Sequence, residues 1–306
     1  MTVTPDGSAP TAHADITDKE LVEIASILMK RRTFDLSVYK DACMKRRVAI
    51  RIRSTGCRDA TEYCDLLRRN NHELDMLRKV LTIHVSQFFR NPSMFEKLRS
   101  RILPELFRTC SRNDSGVMRI LCLGCAGGEE PYSLAILLRE HFSAEMRSVP
   151  TSITGCDIDD ETLRMARQAD YTEDRIKEVP VVLRERYFRR EGSRFQLVPE
   201  LREAVSFHHG NVTSVAEHQP SDLVLCRNTL IYFTRSDQEK ILHGIADILP
   251  ENGIVVLGKS ETLVGDVRRR FTSVCPVERI YCKVKPDSDR SNIWQTDYHP
   301  KSIKEE

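Results

Sequence analysis

The residues best placed to do chemistry stand between Gly124 and Glu130, where three glycines and two adjacent carboxylates follow the short apolar run of Met118 and Ile120 to Leu123. Gly124, Gly127 and Gly128 let the backbone turn tightly and approach a ligand closely. Pro131 fits the first turn of a helix, which Leu134, Ile136, Leu137 and Leu138 continue. The stretch therefore reads as strand, glycine loop and helix, the opening unit of a nucleotide-binding sheet. A dinucleotide fingerprint would read G-x-G-x-x-G and lay a pyrophosphate on the helix N-terminus. Here Glu129 and Glu130 stand at that spot and would repel a pyrophosphate. S-adenosyl-L-methionine brings an ammonium and a sulfonium, which an acidic loop attracts. The helix dipole alone accounts for one acid at such a terminus, not readily for two.

Two further groups fall at the carboxyl ends of predicted strands, where ligands sit in sheets of this kind. Asp157 ends the strand Ser152 to Cys156 and can accept hydrogen bonds from both ribose hydroxyls; the helix cap that follows is better served by Asp159 or Asp160. Arg227, Asn228 and Tyr232 leave the strand Leu223 to Cys226 and face the same ligand, while Ile231 and Phe233 pack. Cys122 and Cys125 form a C-x-x-C, but no second pair or histidine partner stands at zinc spacing, so no metal is expected.

These groups need elements to hold them. Met1 to Asp15 is polar and reads as a disordered tail. Thr17 and Glu20 form a capping box before a helix from Asp18 to about Arg31. Further helices are expected over Tyr39 to Arg53, from Asp59, through Leu74, Leu77 and Leu81, and from Pro92 with Phe95, Leu98, Ile102 and Leu106 on one face. Residues 16–108 thus form an all-helical domain, joined by the polar stretch Ser111 to Gly116 to an α/β domain over 117–285. There strands and helices alternate as a parallel sheet requires: the helix Asp160 to Gln168, strands Val205 to His208 and Ile254 to Leu257, the helix Gln238 to Leu249, and a last strand Arg279 to Val284. Residues 187–204 read as a small β-insertion, and 286–306 as a polar tail.

A chain of 306 residues has room for two such domains, and its net charge of +2 argues against a general polyanion binder. No apolar run approaches the roughly 18 residues of a membrane span, and the first residues lack a signal-peptide pattern, so a cytoplasmic protein with no membrane insertion is expected. The ten cysteines fit reduced core positions. Between Lys45 and Arg69 eight basic residues stand against three acids. Arg46, Arg47, Arg51 and Arg53, on or near the outer face of one helix, could meet an acidic partner.

The motifs VSQFFRNP (Val85 to Pro92), GCAGGEEPYS (Gly124 to Ser133), CDIDDETLRMAR (Cys156 to Arg167), YFRREG (Tyr187 to Gly192), CRNTLIYF (Cys226 to Phe233) and LGKSETL (Leu257 to Leu263) occur in that order. With them the chain resembles, over nearly all of Asp15 to Val284, the CheR family of chemotaxis-receptor glutamate O-methyltransferases. The resemblance implies a Rossmann-like S-adenosylmethionine-dependent methyltransferase domain with an N-terminal all-helical domain and a small inserted β-subdomain. It implies cofactor contacts at His84, Ser86, Arg90, Glu129, Asp157, Asn211, Val212, Arg227 and Asn228, and places Arg90 and Tyr232 near the transferred methyl. His84 stands where many members carry Asn, and Ser86 where Thr is commoner. The partners implied are the cytoplasmic helices of methyl-accepting chemoreceptors, met by the basic helix, with the protein acting as a monomer. Two rival readings are a nucleic-acid methyltransferase, disfavoured because R-N-T-L-I-Y-F offers no proline pair to shape a slot for a flipped base, and a cofactor-binding regulatory module without turnover.

Overall fold

The structure, a computed structural model, describes residues 16–82, 86–112 and 116–284. Two compact units divide the chain: Met1–Ile83 with Tyr232–Thr234, and His84–Ile231 with Arg235–Glu306. The expected terminal tails lie outside the described residues.

In the first unit, α1 (Asp18–Arg32) starts at the expected capping box: the Thr17 N–H donates to Glu20 Oε2 at 2.8 Å, and the Glu20 N–H to Thr17 Oγ1 at 3.3 Å. Met44, Val48 and Ile52 recur at four-residue spacing along α2 (Asp41–Thr55) and are buried, and Gly56 ends the helix at φ 76°. Side-chain caps from Asp59 and Asn70 open α3 (Ala60–Arg69) and α4 (Asn71–Leu81). Tyr63, Leu67, Leu74 and Leu77 are fully buried.

The second unit begins with α5 (Pro92–Lys97), a π-helical turn (Leu98–Ile102) and α6 (Leu103–Cys110) in unbroken succession. Pro104 has no N–H for the carbonyl one turn back, and the widened turn just before it absorbs that loss. Phe95, Leu98, Ile102 and Leu106 share one core with Met118, Ile120, Leu134 and Leu138. This corrects the expected domain boundary: the helical unit ends at Ile83 rather than at residue 108, because the apolar face of α5 and α6 is buried with the sheet.

β1 (Met118–Leu123), α7 (Glu129–His141), the short α8 (Glu145–Ser148), β2 (Thr151–Asp157) and α9 (Asp160–Gln168) follow. Next come β3 (Asp170–Thr172), α10 (Glu173–Ile176), α11 (Val181–Tyr187), β4 (Phe188–Glu191), β5 (Arg194–Leu197) and α12 (Pro199–Arg202). The unit closes with β6 (Val205–His209), β7 (Leu223–Cys226), α13 (Arg235–Ile248), β8 (Ile254–Leu257), β9 (Phe271–Cys275) and β10 (Ile280–Lys283). The main sheet has seven strands in the order β6-β2-β1-β7-β8-β10-β9. The first five are mutually parallel, and β10 runs antiparallel to both neighbours, so the sheet is mixed where a parallel one was expected. The expected β-insertion is a separate three-stranded sheet, β3-β5-β4, that recruits β3 from outside 187–204; β4 and β5 turn at Gly192, φ 62°.

Candidate active site at the carboxyl edge of the sheet

Sequence order reverses at β1, with β2 and β6 on one side and β7 and β8 on the other. Such a switch point opens a crevice beyond the strand ends. The register brings those ends level: Leu123 faces Cys156 on one side and Cys226 on the other, and Asp157 faces His209. Of the expected contacts, Glu129, Asp157, Asn211, Val212, Arg227 and Asn228 therefore converge on one edge.

Asp157 is 7% exposed and reaches into the glycine loop. Its Oδ2 accepts the Ala126 N–H at 2.9 Å and its Oδ1 the Asp159 N–H at 3.2 Å. Asp159 caps α9, accepting from the N–H groups of Glu161 and Thr162, which leaves Asp157 out of that role as expected. One neighbour that the sequence reading passed over also shapes the loop. The Tyr171 hydroxyl donates to Gly127 O at 2.8 Å, and burial pushes its phenol up so that it stays a neutral donor. The Cys122 and Cys125 thiols are likewise pushed well above their ordinary value by burial.

Glu129 is 1% exposed, and its Oε1 accepts from Arg175 Nη1 at 3.0 Å. The same Arg175 nitrogen donates to Ser86 O at 2.5 Å, and Arg175 O accepts the Phe88 N–H at 2.9 Å. Arg175 thus ties the Ser86 segment to the loop, though nothing in its polar surroundings marked it in the sequence. The Phe89 N–H donates to Ser133 Oγ at 2.9 Å. Phe88 is fully buried edge-on to Tyr171 and Phe188. Arg90 follows, half-buried, between Phe89 and Asn91, both at positive φ. Arg227 closes the ring: Nη1 pairs with Glu130 at 2.6 Å, and Nη2 donates to Arg90 O at 2.9 Å and to Asn91 Oδ1 at 2.7 Å. With its side chain 3% exposed, Arg227 is first a clamp on the Arg90 segment.

Asn211 caps the 3-10 turn Val212–Glu217 through the Thr213 N–H, and Gly210 before it donates to Asp157 O at 3.0 Å. Asn228 sits at φ 55°, and its N–H donates to Glu261 Oε2 at 2.9 Å. Glu261, also missed, belongs to LGKSETL and is 4% exposed.

The helical unit holds the rest. Tyr232 lies under the Arg47 guanidinium, 5.5 Å from its ring centroid, and its carbonyl accepts the Lys40 N–H at 2.8 Å. Arg47 Nη1 also donates to Val80 O and Leu81 O. Arg51 forks onto Glu73 at 2.7 and 2.6 Å, and Tyr63 donates to the same carboxylate. Arg46 and Arg53 are exposed. Of the four arginines expected to meet a partner, two are thus engaged inside the unit. His84 lies outside the described residues.

Residues 84–278 match the model of the CheR methyltransferase SAM binding domain, and residues 19–82 that of the CheR methyltransferase all-alpha domain. The chemotaxis protein methyltransferase of Listeria innocua is 29% identical over 81% of this chain and 91% of its own length. That of Escherichia coli is 29% identical over 86% of this chain and 90% of its own. An uncharacterized 104.1 kDa protein of Rhodobacter capsulatus is 31% identical over 87% of this chain, which spans only 27% of that protein. The chain belongs to the CheR methyltransferase family.

Proposed function

We propose that the protein methylates glutamate side chains of methyl-accepting chemoreceptors, forming glutamyl methyl esters that tune chemosensory adaptation, and that it works as a cytoplasmic monomer. Among the described residues no helix is long and apolar enough to cross a membrane. The family's cofactor, S-adenosylmethionine, supplies a methyl group activated on a sulfonium. The residues present fit it: Glu129, Glu130 and Asp157 gather three carboxylates around the glycine loop, where the ammonium and sulfonium of the cofactor would be attracted. Gly127 leaves the loop open where a Cβ would lie 3.0 Å from Glu129 Oε1. Glu129, Asp157, Asn211, Val212, Arg227 and Asn228, with Ser86 and His84, would hold it.

The observation that supports the reading is the anchoring of the Phe88 to Asn91 backbone by Arg175, Ser133 and Arg227, which fixes the segment that carries Arg90. A glutamate is already ionised at neutral pH and needs no general base. Alignment and partial exclusion of water suffice, and Arg90 orients the incoming carboxylate while Tyr232 bounds the methyl end. Arg46 and Arg53 are the cations of α2 open to an acidic receptor helix. The test is tritiated methyl transfer to receptor-containing membranes, with duplex and single-stranded nucleic acid as rival acceptors. Alkali-labile label in the receptor is expected; label in nucleic acid alone would overturn the proposal.

A further inference from the structure

Beyond β8 the chain turns through Gly258 to Glu261, whose side chain points back under the loop that follows β7. Glu261 Oε1 accepts the N–H groups of Thr229 at 2.8 Å and Ile231 at 3.3 Å. Its Oε2 accepts those of Asn228 at 2.9 Å and Gly258 at 2.6 Å. Four backbone donors thus fill the four lone-pair positions of one carboxylate. Burial pushes this carboxyl up, and the four backbone donors pull against that push. The surroundings leave no slack. A Cβ on Gly258 would lie 2.6 Å from Glu261 Oε2 and 2.8 Å from the Asn228 nitrogen, and one on Gly124 would lie 2.4 Å from Thr229 Oγ1. The loop after β7 is therefore held between Glu261 on one side and the start of the glycine loop on the other. Backbone held at a positive φ, as at Asn228, persists only where its surroundings over-determine it.

We infer that Glu261 is the positioning residue for the Arg227–Ile231 loop: its carboxylate organises four backbone N–H groups so that Arg227 and Asn228 are set for cofactor and for the Arg90 segment, without touching either reactant. This rests on reading that loop as a wall of the methyl-transfer site. A glutamine at 261 keeps the shape but turns an NH2 toward backbone donors, and an aspartate keeps the charge but falls short by one methylene.

The experiment compares wild type, Glu261→Gln and Glu261→Asp by amide hydrogen exchange, melting temperature, cofactor affinity and methyl-transfer kcat and KM. In Glu261→Gln, exchange at Asn228, Thr229, Ile231 and Gly258 should accelerate about tenfold or more, with cofactor affinity falling by a similar factor. The kcat should fall more than the KM for acceptor rises, and Glu261→Asp should recover part of each loss. A folded Glu261→Gln with wild-type kcat and cofactor affinity would overturn the inference, even at a lower melting temperature. If neither variant folds, fast exchange at those amides in the wild type would overturn it and slow exchange would support it. Should the wild type bind cofactor yet methylate no receptor, the proposed function fails, while exchange and cofactor affinity still decide the role of Glu261.

Discussion

Arg51 in the helical unit and Arg227 at the edge of the sheet are both partly or fully buried arginines paired with a carboxylate, yet their surroundings give them different work. Arg51 closes a local circuit with Glu73 and Tyr63, and every partner belongs to the helical packing. Arg227 spreads its donors over Glu130 at the start of α7 and over the Arg90 and Asn91 segment, so it joins two loops of the candidate site. The first arrangement fixes a fold; the second fixes a geometry that a ligand would use. An arginine in a basic stretch is thus a candidate for partner binding only once its internal partners are known.

The largest effects should separate these two roles. Replacing Arg51 with Ala strands the Glu73 carboxylate, 4% exposed, and should cost about 3 kcal/mol of unfolding free energy. Denaturant unfolding should show that loss, while cofactor affinity of the folded fraction stays at the wild-type value. Arg227→Ala should do the reverse in emphasis, weakening cofactor binding and methyl transfer more than the unfolding midpoint. Equal profiles for the two variants would erase the distinction. Next in size, Asp157→Ala removes a carboxylate that also braces the Ala126 N–H, and cofactor affinity by calorimetry should fall by about 1.5 to 3 kcal/mol. An unchanged affinity would remove Asp157 from the cofactor site.

Reversing the charge of the two exposed arginines, Arg46→Glu with Arg53→Glu, should raise the apparent KM for receptor by roughly tenfold at low salt and flatten its dependence on ionic strength. Cofactor affinity and melting temperature should hold. A receptor KM that does not move would make α2 a solvated face. The smallest effect is expected from Tyr232→Phe, which keeps the ring under Arg47: cofactor affinity should change by less than about 1 kcal/mol while turnover falls. Lost stability with unchanged turnover would make Tyr232 a packing residue.

The same contrast explains what could be read from the sequence. Local chemistry was legible: the glycines and Pro131 around the loop, the capping box at Thr17, and fully apolar strands such as Ile254–Leu257 each carry their own signal. Long-range partnership was not. An amphipathic helix reports an apolar face but not the core it faces, so the pattern of α5 and α6 does not show that they pack with the sheet. The three residues of β3 are too few to show an alternation, and β9, where Phe271 and Val274 are buried and Ser273 is exposed, carries only a weak one. Arg175, Tyr171 and Glu261, which brace the loops of the candidate site, do so largely through backbone groups distant in sequence, and no spacing rule marks such contacts.

The central claim concerns where the methyl goes, and its most direct measurement is mass-spectrometric mapping of a receptor's cytoplasmic helices after incubation with the protein and S-adenosylmethionine. Methyl esters confined to glutamate side chains, absent when Arg90→Ala replaces the wild type, are the predicted result. Methyl groups on lysine or another residue, or ester formation undiminished in Arg90→Ala, would contradict it.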